Sequence, residues 1–216
     1  MMPVNTIDHP LAQDILTQLR DQNTSYITYK KLTQVLSTLI AIYATGDLST
    51  KSTSVTTPLA ETNGKRLNQD LILVPILRAG LGMLEPIQEL YPAAKTGFIG
   101  LQRIKSGEKP DQYYCNVPNN FNNPDNLNTL VLVLDPMIAS GQSALVAINN
   151  IVNLGFKQIK LLSFLAAPEG LTLLESKLPE LKIYTAAIDL KLNDKKYIIP
   201  GLGDFGDRLF GTTITQ

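Results

Sequence analysis

The chain has 216 residues, 44% of them hydrophobic and 18% charged, and its 19 basic and 19 acidic residues leave a formal net charge of zero. That length suits one domain with a full core, and the charge balance leaves no global field for nucleic acid or an anionic membrane, so any anion site must be local. One cysteine, Cys115, excludes an intrachain disulfide and points to a reducing, cytoplasmic setting, and one histidine, His9, leaves nothing for a histidine-rich metal site or for a Ser-His-Asp triad away from residue 9.

The opening residues, MMPVNTIDHPLAQDIL, lack a basic region followed by an apolar stretch and do not read as a signal peptide. His9-Pro10 reads as a helix start. Residues 10–21 then place Leu11, Ile15, Leu16 and Leu19 at helical spacing. Residues 30–45 carry a stripe of Leu32, Val35, Leu36, Leu39, Ile40 and Tyr43, which predicts a second helix. Residues 46–69 are rich in Ser, Thr, Gly, Asp and Asn and predict a long exposed connection, an arm or a hairpin.

From residue 70 the pattern changes. LILVPI (71–76) reads as a strand buried on both faces, followed by a helix near 81–90. The longest apolar run, LILVPILRAGLGM, is broken by Arg78 and two glycines and falls short of a membrane span. GFIGL (97–101) is a second strand. Residues 102–128 are polar, Asn-rich and Pro-punctuated and read as a long mobile loop or excursion, with Cys115 a buried or bystander thiol. TLVLVL (129–134) is a third strand, and helix 142–154 stops at Gly155. Strand 159–164, helix 169–178, strand 182–188 and the tail YIIPGLGDFGDRLFGT complete the chain. Apolar strands alternating with amphipathic helices predict an α/β fold with a mainly parallel central sheet flanked by helices. One domain is expected: an N-terminal helical segment 1–45 covering a sheet edge or building an interface, an arm 46–69, a core 70–190 and a tail 191–216.

The stretch VLVLDPMIASGQSA (131–144) points to chemistry. Its strand ends on Asp135, and residues 136–143 lead straight into a helix. Ligands of open parallel sheets sit beyond the carboxyl ends of the strands. Small residues let backbone amides approach an anion, and the helix adds its unpaired N–H groups. The plainer alternative is that Asp135-Pro136 only turns the chain and Ser140 caps the helix. There is no Walker A pattern. GLGDFG (201–206) matches a dinucleotide fingerprint by letters, but only ten residues follow it, too few for the required helix and strand. Arg78 and Arg103 each follow a strand and are placed for a second anion.

VPILRAGLGM, VLDPMIASGQSA and YIIPGLGDFGDRLFGT, in that order, resemble the three signatures of the uracil phosphoribosyltransferase family, and HPLAQDILTQLRDQNT and TGFIGLQR also match it. The resemblance implies a phosphoribosyltransferase type I fold with N-terminal helices and a C-terminal base-binding hood. It implies condensation of uracil with phosphoribosyl pyrophosphate to give UMP and pyrophosphate. Asp135, Pro136, Met137, Ile138, Ala139, Ser140, Gly141, Gln142 and Ser143 would form the phosphoribosyl loop, with the 5-phosphate on the 139–143 amides and the ribose hydroxyls near Asp135. Arg78 and Arg103 would bind the pyrophosphate. Ile198, Gly203, Asp204 and Phe205 would hold uracil through backbone groups, with Asp204 also near the ribose donor. The catalytic set would be Arg78, Arg103, Asp135 and Asp204. Magnesium would arrive on the donor; some members of the family respond to GTP, which makes GTP a candidate effector, and most self-associate, so a dimer or larger homo-oligomer is expected, with no nucleic-acid or membrane partner.

The chain departs from the family pattern in places. Ser140-Gly141-Gln142-Ser143 stands for Thr-Gly-Gly-Ser, and a left-handed Gln142 would cost about 1–2 kcal/mol. Phe205 replaces a small residue and is expected to narrow the base site or stack on the ring. IKSGEKP after Arg103 lacks the usual acidic residues, and YKKL and IYATGD replace a customary Arg and Glu. These changes bear on GTP control and catalytic rate more than on fold, and three other readings stay open: a non-catalytic uracil-nucleotide sensor, a regulatory RNA-binding protein of the same fold, which the balanced charge disfavours, and a purine transferase, which the C-terminal loop disfavours.

Overall fold

The computed structural model describes residues 3–102, 110–118 and 128–212. Strand β1 (Val4–Thr6) is followed by α1 (Pro10–Arg20), α2 (Tyr26–Ala44), a hairpin of β2 (Thr50–Thr56) and β3 (Glu61–Leu67), β4 (Leu71–Leu77), α3 (Leu81–Leu90), β5 (Lys95–Thr96) and β6 (Phe98–Gln102). Then come β7 (Asp111–Asn116), β8 (Leu130–Leu134), β9 (Met137–Ile138), α4 (Gln142–Asn153), β10 (Gln158–Ala166), α5 (Pro168–Lys177), β11 (Lys182–Ile188), β12 (Lys191–Leu192), β13 (Ile198–Ile199) and α6 (Phe205–Phe210).

The main sheet runs β1-β11-β10-β8-β4-β6-β7, with β5 beside β4 and β9 beside β10. Among the described residues only the β6–β7 pair in it is antiparallel. Strand alternation divides the core in two. Leu71, Leu73, Leu130, Leu132 and Leu134 pack with α1, α2 and α3. Ile72, Val74, Ile76, Val131 and Val133 pack with α4 and with Leu174 of α5. Both sides of the central strands are therefore dry, which is why they read as unbroken apolar runs. Each such side chain contributes roughly 1.5–3 kcal/mol of burial free energy.

The helix starts follow from local chemistry. His9 caps α1, its Nδ1 accepting from the Leu11 amide at 3.1 Å, with Pro10 in the first turn. Ser25 caps α2 through the Thr28 amide. The face α2 buries is displaced from the predicted stripe. Tyr29, Thr33, Leu36, Ser37, Ile40, Ala41 and Ala44 are buried, while Val35 and Tyr43 are exposed. Small polar residues serve at this tight contact because Ser37 satisfies itself on the Thr33 carbonyl at 2.8 Å.

Three other expectations change. The N-terminal helices cover a face of the sheet, not an edge; the edge is taken by β1, paired with β11. Three residues are too short to show periodicity. Residues 46–69 form a hairpin, as one of the two alternatives had it. Within 102–128 the described part includes β7, an added strand on β6 and not a loop. All six of its residues, Cys115 among them, are exposed, so main-chain pairing forms it without an apolar pattern.

Candidate active site

The carboxyl ends of β4, β6 and β8 open into one cavity of about 840 Å³. It brings together Arg78, Asp135, the 137–143 segment, Ile198, Gly203, Asp204 and Phe205, all expected there from sequence. Pro136 is the exception. It is buried, and its carbonyl accepts from the Phe164 and Leu165 amides at 3.0 and 3.2 Å, so it pins the loop to β10. Arg103 lies outside the described residues; Gln102, before it, lines the cavity.

Arg78 is exposed after β4 and forms no ion pair among the described residues. Its loop depends on Gly80, where a Cβ would stand 2.3 Å from the Leu134 carbonyl oxygen. That close approach locks the loop after β4 to the end of β8, next to Asp135.

The segment after β8 is built from the backbone outward. The Asp135 amide donates to the Leu162 carbonyl at 3.1 Å, and its Oδ1 accepts from the Met137 amide at 3.4 Å. Met137 and Ile138 form β9 on β10, and the Ala167 amide donates to the Ile138 carbonyl at 2.8 Å. Gly141 is left-handed at φ 76° and is the N-cap of α4, and no side chain caps that helix. Ser140 is therefore not a cap, and the uncapped start of α4 lies at the cavity, which Ser140–Ala144 line. An anion at this place would meet unpaired N–H groups and the positive end of the helix. The left-handed residue is Gly141; Gln142 is the first residue of α4 and carries no strain. Gly170 of α5 closes the loop from behind, a Cβ on Gly141 lying 2.7 Å from its carbonyl oxygen.

The tail forms the opposite wall. β12 and β13 pair antiparallel, the Ile199–Pro200 bond is cis, and Gly201 and Gly203 are left-handed. Asp204 is exposed and caps α6, accepting from the Asp207 amide at 3.0 Å. Phe205 departs from expectation. Its backbone borders the cavity, but its ring is only 2% exposed, edge-on to Phe164 and tilted against Tyr29. The first turn of α6 aims the side chain at the core, so Phe205 supports the loop from beneath and presents no ring face to a ligand.

Side chains that the sequence did not single out hold this wall. Arg20, at the end of α1, meets Asp189 through two hydrogen bonds and donates to the Gly201 carbonyl at 2.7 Å. Asp189 accepts from the Gly201 amide at 2.8 Å. Arg208 donates to the Leu202 carbonyl at 2.8 Å, to the Asp21 carbonyl at 2.6 Å and to the Leu19 carbonyl, and its guanidinium lies 4.4 Å from the Tyr29 ring centre. Burial pushes the Tyr29 hydroxyl well above its ordinary range. No spacing rule joins Arg20 to Gly201, so no local signal could have found the pair. Lys196, Tyr197 and Tyr113 also line the cavity without having been expected.

Comparison with known proteins agrees with this arrangement. The family profile described as uracil phosphoribosyltransferase matches residues 6–212. A uracil phosphoribosyltransferase of Dictyoglomus turgidum is 48% identical, over 97% of this chain and 99% of its own. One of Finegoldia magna is 45% identical, over 98% and 100%. A solved protein of Aquifex aeolicus superposes with a TM-score of 0.90 at 34% identity, covering 98% of this chain and 99% of its own. A hypoxanthine-guanine phosphoribosyltransferase of Bacillus anthracis shares the fold alone, with a TM-score of 0.51 at 13% identity over 76% of this chain and 80% of its own. The fold is the phosphoribosyltransferase type I fold, and the chain belongs to the uracil phosphoribosyltransferase family.

Proposed function

We propose that this protein transfers the phosphoribosyl group of phosphoribosyl pyrophosphate to uracil, releasing pyrophosphate and forming UMP. The observation that carries the reading is one cavity with an uncapped helix start after Asp135 on one wall and a glycine-rich backbone loop on the other. In the reaction uracil N1 bonds to the ribose C1, the bond from C1 to the pyrophosphate oxygen breaks with its electrons leaving on that oxygen, and the N1 proton departs. The amides of 139–143 hold the 5-phosphate, and Asp135 accepts from the ribose hydroxyls. Arg78 and Arg103 neutralise the departing pyrophosphate. Ile198, Gly203 and Phe205 present backbone groups to uracil, whose N–H between two carbonyls differs from the pattern of cytosine. A mispaired buried group costs roughly 1–3 kcal/mol, enough for selection. Asp204 lies at the rim of the same wall, beside the ribose donor. Holding both reactants in line supplies much of the acceleration.

Magnesium is part of the reading. Among the described residues no three His, Cys, Asp or Glu side chains converge, whereas Asp135 and Asp204 both line the cavity. That donor set suits an ion held chiefly by pyrophosphate oxygens. Such an ion would offset negative charge on the leaving group.

Self-association is proposed on the zero net charge and on the exposed apolar side chains Ile27, Val35 and Ile42 of α2, and sedimentation over a concentration series tests it. A GTP effector is proposed by analogy with those members of the family that respond to GTP, and is tested by the rate with and without GTP. A cytoplasmic location is supported by the single cysteine. No helix among the described residues is long and apolar enough to cross a membrane. The deciding experiment measures pyrophosphate release with Mg²⁺ and phosphoribosyl pyrophosphate, offering uracil, cytosine, hypoxanthine or no base. Release with uracil alone is expected. Donor binding without release under any condition would overturn the reading.

A further inference from the structure

Among the described residues, one that is not glycine has a positive φ: Lys196, at 64°. It also lines the cavity. A left-handed lysine is disfavoured because its Cβ crowds the backbone, and residues held in such conformations cluster at functional sites. The turn that imposes the conformation is fully bonded. The Asn193 amide donates to the Tyr197 carbonyl and the Lys196 amide to the Asn193 carbonyl, both at 2.9 Å. Asn193 Oδ1 accepts from the Lys195 and Tyr197 amides at 3.0 and 2.9 Å. Glycine would fill this place without the penalty.

The turn is tied to the 137–143 loop through α5, and both line the same cavity. Glu169, in the first turn of α5, accepts from the Leu192 amide at 2.8 Å, and the next residue, Gly170, touches Gly141. The Leu192 hydrogen bond is the chief reason the Glu169 carboxyl lies below its ordinary range, and the Lys196 charge adds to the effect. Lys196 is exposed and forms no ion pair among the described residues. The 137–144 segment on the opposite wall contains no basic side chain. Its anion site therefore has amides, hydroxyls and a helix end, and no cation of its own.

We propose that Lys196 is a binding residue for the donor's 5-phosphate, its ammonium closing over the anion held by the 139–143 amides. This rests on reading the cavity as a phosphoribosyl-transfer site. It accounts for a lysine where the backbone favours glycine.

Two variants test it. Lys196→Gly removes the charge and suits the left-handed backbone; Lys196→Gln removes the charge and keeps a side chain. The dissociation constant for phosphoribosyl pyrophosphate is measured by calorimetry, and the uracil KM by pyrophosphate release. Both variants are expected to bind the donor roughly fivefold more weakly, the scale of one exposed ion pair, with the difference shrinking at high salt. The uracil KM stays within about twofold, and the glycine variant melts no lower than wild type. Unchanged donor affinity in both variants, or a change confined to uracil, overturns the assignment. If wild type binds the donor yet releases no pyrophosphate with uracil, the functional reading falls, while donor affinity still decides the role of Lys196.

Discussion

Arg20 and Asp189 stand 169 positions apart and meet through a two-pronged contact, Nη2 to Oδ1 at 2.6 Å and Nη1 to Oδ2 at 2.8 Å. Between them they satisfy both backbone groups of Gly201, so the loop that borders the base side of the cavity hangs from this pair. The Asp189 side chain is only 5% exposed. Arg20→Ala leaves that carboxylate buried without its cation and is expected to cost about 3–5 kcal/mol in urea unfolding. Arg20→Lys keeps the charge and loses the fork. It is expected to raise the uracil KM roughly tenfold while donor affinity stays within about twofold. Equal effects on both substrates would mean that the pair supports the fold and does not position the base loop.

Arg78 and Asp204 test the proposed chemistry directly. Both are exposed on the cavity and neither belongs to the core. Arg78→Ala removes a cation from the leaving group, and Asp204→Asn removes a charge while keeping a residue able to cap α6. Each is expected to lower kcat/KM by roughly 100-fold or more, with the melting temperature within about 2 °C of wild type. Steady-state pyrophosphate release and a thermal melt on the same preparations check this. Near-normal rates in both variants would remove these residues from the catalytic set.

The parallel core could be read from the sequence because β4 and β8 are buried on both faces and so are apolar at every position. The loop after β8 was legible as an acid followed by small residues leading into a helix, and Gly141 alone takes the left-handed conformation there. Pro136 and Phe205 show the limit of such reading. A motif places a backbone near a ligand, but the direction of each side chain depends on packing partners that are distant in sequence, β10 for Pro136 and Tyr29 with Phe164 for Phe205. β7 was missed for the opposite reason: its pairing uses the backbone and leaves no side-chain pattern.

The loop between β9 and α4 separates two neighbouring positions. Gly141 has φ 76°, and an added Cβ would lie 2.7 Å from the Gly170 carbonyl oxygen, so Gly141→Ala combines strain with a backbone clash. Donor affinity is expected to fall more than tenfold, since the left-handed cost alone is about 1–2 kcal/mol. Gln142→Gly, which restores the family's usual residue, is expected to leave turnover within about twofold and to lower stability by about 0.5–1 kcal/mol at the start of α4. A large gain in rate on Gln142→Gly would show that Gln142 obstructs the site.

Phe205→Ala separates support from recognition. The ring is buried between Phe164 and Tyr29, 5.4 and 5.8 Å away between ring centres. Its removal leaves a cavity and is expected to cost about 3–5 kcal/mol of stability, read from the urea midpoint. Phe205→Leu should recover much of that loss and keep the preference for uracil over cytosine. A preference changed by Phe205→Leu at nearly wild-type stability would return the ring to the base site.

Asp47 links the end of α2 to the sheet. It accepts from Lys160, and from Lys182 at 3.1 Å, while Lys160 also donates to the Ala44 carbonyl at 2.7 Å. The hydrogen bond from Lys160 is the main reason the Asp47 carboxyl lies below its ordinary 3.8. A carboxyl with a depressed folded pKa stabilises the protein above the unfolded value and loses that contribution as pH falls through the folded one. Lys160 is the buried partner, its side chain 6% exposed, so Asp47→Asn leaves a buried ammonium poorly matched. The variant is expected to lose about 1–3 kcal/mol at pH 7. The gap from wild type should narrow as the pH falls below 3.8 and close once it passes the lower folded value, because protonation gives Asp47 the same neutral character as Asn. Urea unfolding at pH 7 and pH 3 measures both points, and a gap of equal size at the two would show that the Asp47 charge does not hold Lys160 in place.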